Sequence, residues 1–105
     1  VWSTAYEQKR PYLDLDDACR AIAHAIRQDL FTGDVYNILT LNATVREIVE
    51  AIKEFVPSLK VEFVGNLIMN QLSYEVCRQK ISDTGVDFSG SLSLKIEETL
   101  RLLNA

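Results

Sequence analysis

The residues able to do covalent or metal chemistry are few and scattered. Cys19 and Cys77 lie far apart without C-x-x-C spacing, and His24 is the only histidine. A zinc site needs more ligands than two distant thiolates and one imidazole provide. Two packed thiols in a reduced chain are therefore the expectation. No nucleophile stands at a spacing that would pair it with a base. His24 falls on the polar side of a helical stretch, away from Ile22 and Ile26, and is expected to be solvated. Charge gathers instead in Lys9-Arg10-Pro11-Tyr12-Leu13-Asp14-Leu15-Asp16-Asp17. Read by itself, Arg10 is exposed or paired with Asp14, Asp16 or Asp17.

The whole chain sets the bounds. Its 105 residues suit a single domain with one core. Apolar residues at 48% and charged residues at 25% are ordinary for a folded protein and unlike a disordered one. With 15 acidic and 11 basic residues the net charge is −4, and no basic face is offered to a phosphate backbone, so nucleic acid is not an expected partner. The longest apolar stretch falls far below the ~20 residues that span a bilayer, so no membrane is expected either. The first residues lack a basic stretch followed by an apolar core, and a cytoplasmic location is the expectation.

The elements that must position these groups alternate. Leu15, Ala18, Cys19, Ile22, Ile26 and Leu30 recur at helical spacing, which predicts a helix from about Asp16 to Asp29 that buries this stripe. Asp14 or Asp16 can cap it, and Asp17 suits its first turn or the dipole there. Val35–Leu39 reads as a buried strand after the break at Thr32-Gly33-Asp34. Asn37 inside that run is expected to be a buried amide that fastens a neighbouring loop, or a segment of a missing half. Thr44-Val45-Arg46-Glu47 is a capping box, and the helix it opens runs to Pro57 with Val45, Ile48, Val49, Ile52, Phe55 and Val56 inward. Lys60–Val64 predicts a second strand, residues 67–73 a loop, and Ser73–Val76 a short extended piece. A short helix from Cys77 to Thr84 ends at Gly85. A last helix starts after Ser91 or Ser93 and buries Leu92, Ile96, Leu100 and Leu103. Tyr36 and Tyr74 are expected in the core or at its edge. The β-α-β order predicts a small α/β domain of about four helices with a short, at least partly parallel sheet.

The run Arg10-Pro11-Tyr12-Leu13-Asp14-Leu15-Asp16-Asp17 resembles the R-x-[YFW]-[LIV]-x-[VL]-x-D signature of the extended short-chain dehydrogenase/reductases, the NAD-dependent epimerase/dehydratase family. Gly33-Asp34-Val35-Tyr36-Asn37 is similar to that family's G-x-x-Y-N element, and the helix opened by Thr44 stands where the family has a Ser/Thr-initiated helix. Ser73-Tyr74-Glu75-Val76, Lys80 and Gly85 resemble the segment before its closing loop. In the family the first motif lies well after the dinucleotide-binding fingerprint, whereas here it begins near the first residue. The resemblance therefore implies that residues 1–105 are the C-terminal, substrate-binding portion of a larger enzyme, with the Rossmann domain missing. It implies NAD as cofactor of the parent enzyme, a nucleotide sugar as substrate, and Arg10 as a ligand of its diphosphate. No lysine or arginine occurs between Lys60 and Arg78, where many members carry a second arginine, which leaves Asn66, Asn70 and Gln71 as neutral donors of that loop. The glycine-rich cofactor turn and the Y-x-x-x-K pair are absent from the sequence, so the chain alone is expected to bind no NAD in the family's manner and to turn nothing over. Val35–Leu39, at the edge of the parent's sheet, would then template self-association, or the N-terminal segment would fold over it. A free-standing, non-catalytic binding or assembly module of the same architecture is the second reading.

Overall fold

Lys9–Tyr12 and Leu41–Thr44 form an antiparallel ribbon, β1 and β2, with Arg10 opposite Ala43 and Tyr12 opposite Leu41. This comes from a computed structural model that describes residues 1–65 and 72–104. Four helices complete it: α1 (Leu15–Arg27), α2 (Val45–Phe55), α3 (Gln79–Ser82) and α4 (Leu92–Leu103). β1 tolerates Pro11 because alternate amides point to opposite edges. The Lys9 amide faces Ser73 Oγ (2.9 Å), and the Lys9 carbonyl accepts from the Tyr74 amide (3.2 Å). Pro11 would aim its missing N–H at that same edge, so the ribbon loses no bond.

The sheet is thus antiparallel, not parallel, and its strands are not those expected. Val35–Leu39 forms no strand: Val35 is 80% exposed, and only Leu39 is buried. Lys80 Nζ donates to the Val35 carbonyl (3.0 Å) and lies over the Tyr36 ring, so side chains hold the segment where a ladder was expected. Lys60–Val64 contributes a single parallel bridge, Trp2 to Val64, in which Ser3 N donates to Val64 O and Val64 N to Val1 O. The N-terminal segment therefore lies along residues 62–64, not over 35–39. β-Prone residues alone do not make a strand where no neighbour runs beside them.

The helices keep closer to expectation. The capping box is complete: Glu47 N donates to Thr44 Oγ1 (3.1 Å), and Glu47 Oε2 accepts from Thr44 N (2.7 Å). α1 ends in a Schellman motif, with Leu30 N on Ala25 O and Asp29 N on Ile26 O. Asp29 takes the left-handed position at φ 51°, a place usually filled by glycine but open to aspartate. α3 is shorter than expected and runs through a turn to Gly85, whose φ of 103° suits its lack of a side chain. In α4, Leu92, Ile96 and Leu100 are half-buried against α2, while Leu103 is 77% exposed.

The core is small. Ala21, Ile81, Val86 and Phe88 cluster with Tyr36 packed against them. The expected inward stripe of α1 faces out: Leu15, Ile22 and Ile26 are 75%, 61% and 62% exposed, and Cys19 is exposed as well. The helix buries Asp17 and Ala21 and half-buries His24. Cys77 is also a free, exposed thiol, so neither cysteine is packed. Surface area totals 7523 Å², against about 6,000 Å² for a compact chain of this length. The radius of gyration is 16.4 Å, where ~13 Å is usual. No helix among the described residues is long and apolar enough to cross a membrane.

Candidate functional site

Arg10 stands in β1, whose outer edge is lined by residues 72–76. Its Nη1 donates to the carbonyls of Lys9 (2.9 Å) and Leu72, its Nη2 donates to Gln8 Oε1 (3.0 Å), and its guanidinium lies 4.8 Å above the Tyr74 ring. A cation over an aromatic face gains from the ring quadrupole, and arginine's planar head suits that stacking. Beside it, Lys9 Nζ bonds Glu75 Oε1 at 2.6 Å. That hydrogen bond, with the carboxylate's charge, raises the Lys9 ammonium above its usual 10.5. Asn42 secures the same segment from beneath: its Nδ2 donates to Val76 O (2.9 Å), and its Oδ1 accepts from Val76 N (2.9 Å). This two-way clasp is the role expected of Asn37, which is exposed. Tyr74, half exposed, is a platform for Arg10 and not a core residue. Asn66, Asn70 and Gln71 lie outside the described residues.

The carboxylates that follow Arg10 in the chain are engaged elsewhere. Asp17 has no exposed surface. Its Oδ1 accepts from Arg20 Nη1 (2.9 Å), and its Oδ2 accepts from Thr40 Oγ1 (2.7 Å) and Gly90 N (3.2 Å). Thr40 Oγ1 in turn accepts from Asp14 N (2.8 Å). Asp14 is the N-cap of α1 by position, yet its side chain makes no capping bond. Arg20 Nη1 also reaches Ser89 Oγ, and Arg78 Nη1 donates to the carbonyls of Leu39 (2.8 Å) and Thr40 (2.7 Å) while lying over Phe88. Asp17 therefore ties the start of α1 to the turn before β2 and to the loop before α4. Gly90 is required there, since a Cβ would stand 2.6 Å from Asp17 Oδ2 and 2.7 Å from Thr40 Cγ2.

Lys95 gathers Asp16, Glu98 (2.8 Å) and, more distantly, Asp14 (3.9 Å). Its hydrogen bonds to Asp16 and then Glu98 push its ammonium well above the lysine range, and the same bond holds the Asp16 carboxyl below 3.8. His24 is not free in solvent. Thr84 Oγ1 gives its proton to Ile81 O (2.6 Å), so it accepts from His24 Nε2 at 2.8 Å. An apolar groove of about 480 Å³ runs between the ribbon, α2 and α4, lined by Leu41, Ile52, Leu92, Ile96 and Leu100. Its surface is mostly apolar, with Tyr12, Asp14, Thr40, Ser91, Lys95 and Thr99 as the polar residues that line it.

Thr40, Asn42, Arg78 and Gly90 were not singled out by sequence. Each acts through contacts with segments distant in the chain, and no local spacing marks such partners. Among the described residues, no group of three or more His, Cys, Asp or Glu side chains could hold a metal ion. No family model matches the chain, and no curated protein matches it.

Proposed function

We propose that this chain is the substrate-binding C-terminal portion of an NAD-dependent nucleotide-sugar epimerase/dehydratase, inactive without its dinucleotide-binding half. The supporting observation is the meeting of Arg10 and Tyr74 at 4.8 Å. These residues belong to two motifs that sequence resemblance assigns to one family, and they are far apart in the chain. Arg10 already donates to the Leu72 carbonyl. An ionised phosphate oxygen is the stronger acceptor, so a diphosphate would take over that donor and release the Leu72 carbonyl. In this reading Arg10 holds the diphosphate and Tyr74 keeps the guanidinium flat, with Asn66, Asn70 and Gln71 as further donors of the loop. NAD and the acid–base groups belong to the missing half, which would meet the exposed Val35, Asn37 and Ile38. There the cofactor would carry hydride to and from a sugar carbon.

The test is a titration of the chain with UDP-glucose followed by amide NMR. Expected are millimolar binding, shifts at Arg10 and Tyr74, and a loss of at least about fivefold in affinity for Arg10→Ala. Absence of any shift near Arg10 at 10-fold above ~1 mM ligand would contradict the reading.

A further inference from the structure

Asp14 differs from the carboxylates around it. Asp16 and Glu98 hold Lys95, and Asp17 accepts hydrogen bonds on both oxygens. The Asp14 side chain is nine-tenths buried, yet its Oδ2 accepts no hydrogen bond from any described residue, and it does not cap α1. Lys95 Nζ stays 3.9 Å away, beyond hydrogen-bond reach, on its two other partners. The backbone of Asp14 is fixed at both ends, since its amide donates to Thr40 Oγ1 (2.8 Å) and its carbonyl accepts from Ala18 N (2.9 Å). A buried carboxylate oxygen without a donor is costly, and a donor brought by a ligand relieves that cost. Asp14 lines the apolar groove between the ribbon, α2 and α4. We propose that this groove binds a small organic amine, with its ammonium on Asp14 and its apolar body along Ile52, Ile96 and Leu100. The site uses neither Arg10 nor the 72–76 segment, so it does not depend on the enzymatic reading.

Charge and shape choose this ligand. Asp14, Asp16 and Glu98 surround the ammonium of Lys95, which leaves this part of the groove net negative among the described residues. A ligand ammonium supplies both the missing positive charge and the missing N–H donor. A hydroxyl would supply a donor but leave the charge unbalanced. A carboxylate would add a further anion and bring no donor to Asp14. The polar lining comes from the start of α1 (Asp14), the turn before β2 (Thr40) and the beginning of α4 (Ser91, Lys95), whereas Ile52 of α2 and Ile96 and Leu100 of α4 are apolar. A molecule with one cationic end and one apolar end matches that division. The groove's volume of about 480 Å³ lies within the ~300–1,000 Å³ of small-molecule sites.

An amide NMR titration of the 105-residue chain at neutral pH tests this with 4-phenylbutylamine, 4-phenylbutanol and 4-phenylbutyrate, three head groups on one apolar body. The amine is expected to shift the amides of Asp14, Ile52, Ile96 and Leu100 with a Kd of ~0.1–1 mM. The alcohol should bind ~10-fold more weakly, and the acid should not bind measurably. Asp14→Asn, with its fold confirmed by circular dichroism, should weaken the amine ~10-fold and bring it level with the alcohol. Equal affinity for the three head groups overturns the proposal whatever the variant does. So do an amine affinity that a folded Asp14→Asn leaves unchanged and the absence of groove shifts at ~10 mM amine. Groove shifts that grow with protein concentration alone would give the groove to a second copy and overturn it as well. The UDP-glucose titration is read at Arg10 and Tyr74, so the two readings fail separately.

Discussion

The two sides of α1 invert the usual division between apolar inside and polar outside. The inward side carries a fully buried carboxylate, an alanine and a histidine bonded to Thr84, while the outward side carries leucine and isoleucines more than half exposed. Within the chain, α1 is therefore fastened by hydrogen bonds and one close-packed alanine. Its hydrophobic free energy remains unspent until something covers the outer stripe. Fully burying one such side chain stabilises by ~1.5–3 kcal/mol, so a partner on that stripe gains several times this amount before the cost of association. An inward polar hub fixes the position of the helix, and an outward apolar stripe makes it adhesive.

Breaking the inward side should cost the most. Asp17→Ala strands Thr40 Oγ1 and the Gly90 amide and removes the ion pair to Arg20. Arg20 is 45% exposed and can return to water, so the loss should be ~2–3 kcal/mol, below that of a wholly buried pair. Gly90→Ala drives a methyl into Asp17 and Thr40, neither of which can swing into solvent while the hub is formed. It should lose about 2 kcal/mol by chemical denaturation, and an unchanged midpoint would mean that the loop before α4 is held some other way. Smaller and pH-dependent is the Asp16–Lys95 pair. Its folded carboxyl lies below 3.8, so the pair's contribution is whole above that pH and is lost as pH falls through the lowered folded value. The Lys95 share is whole below 10.5 and is lost as pH rises through its raised value. Asp16→Asn should therefore lower Tm at neutral pH and converge with the wild type toward pH ~2. A gap that stays constant from pH 5 downward would show that the pair is not ionic in origin.

Much of the helical framework was legible in the sequence, because caps and periods are local. Thr44 and Glu47 sit three residues apart and close the capping box within one turn. The apolar period of α1 set its extent to within two residues at each end. It did not set which way the helix faces. A stripe tells that something apolar is to be covered, and it points to the core only when the covering group lies in the same chain. Strands are less local. Val35–Leu39 and Lys60–Val64 have β-prone composition, but a ladder needs a partner at the right distance, and the partners here went to Lys9–Tyr12 and Leu41–Thr44. Those segments carry a proline, an arginine and an asparagine and do not read as strands. Arg10 stood out by its motif, whereas Tyr74 as its platform, Asn42 as the clasp on Val76 and Arg78 on two carbonyls are tertiary facts without a local mark.

The most direct test of the inversion is urea unfolding of Asp17→Ala and Ile22→Ser side by side, at a concentration low enough to keep both monomeric. Asp17→Ala should lose ~2–3 kcal/mol and Ile22→Ser less than ~0.5 kcal/mol, since Ile22 touches little in its own chain. The reverse order, with Ile22→Ser costing more than Asp17→Ala, would mean that the chain itself covers the apolar stripe and that the polar side faces water.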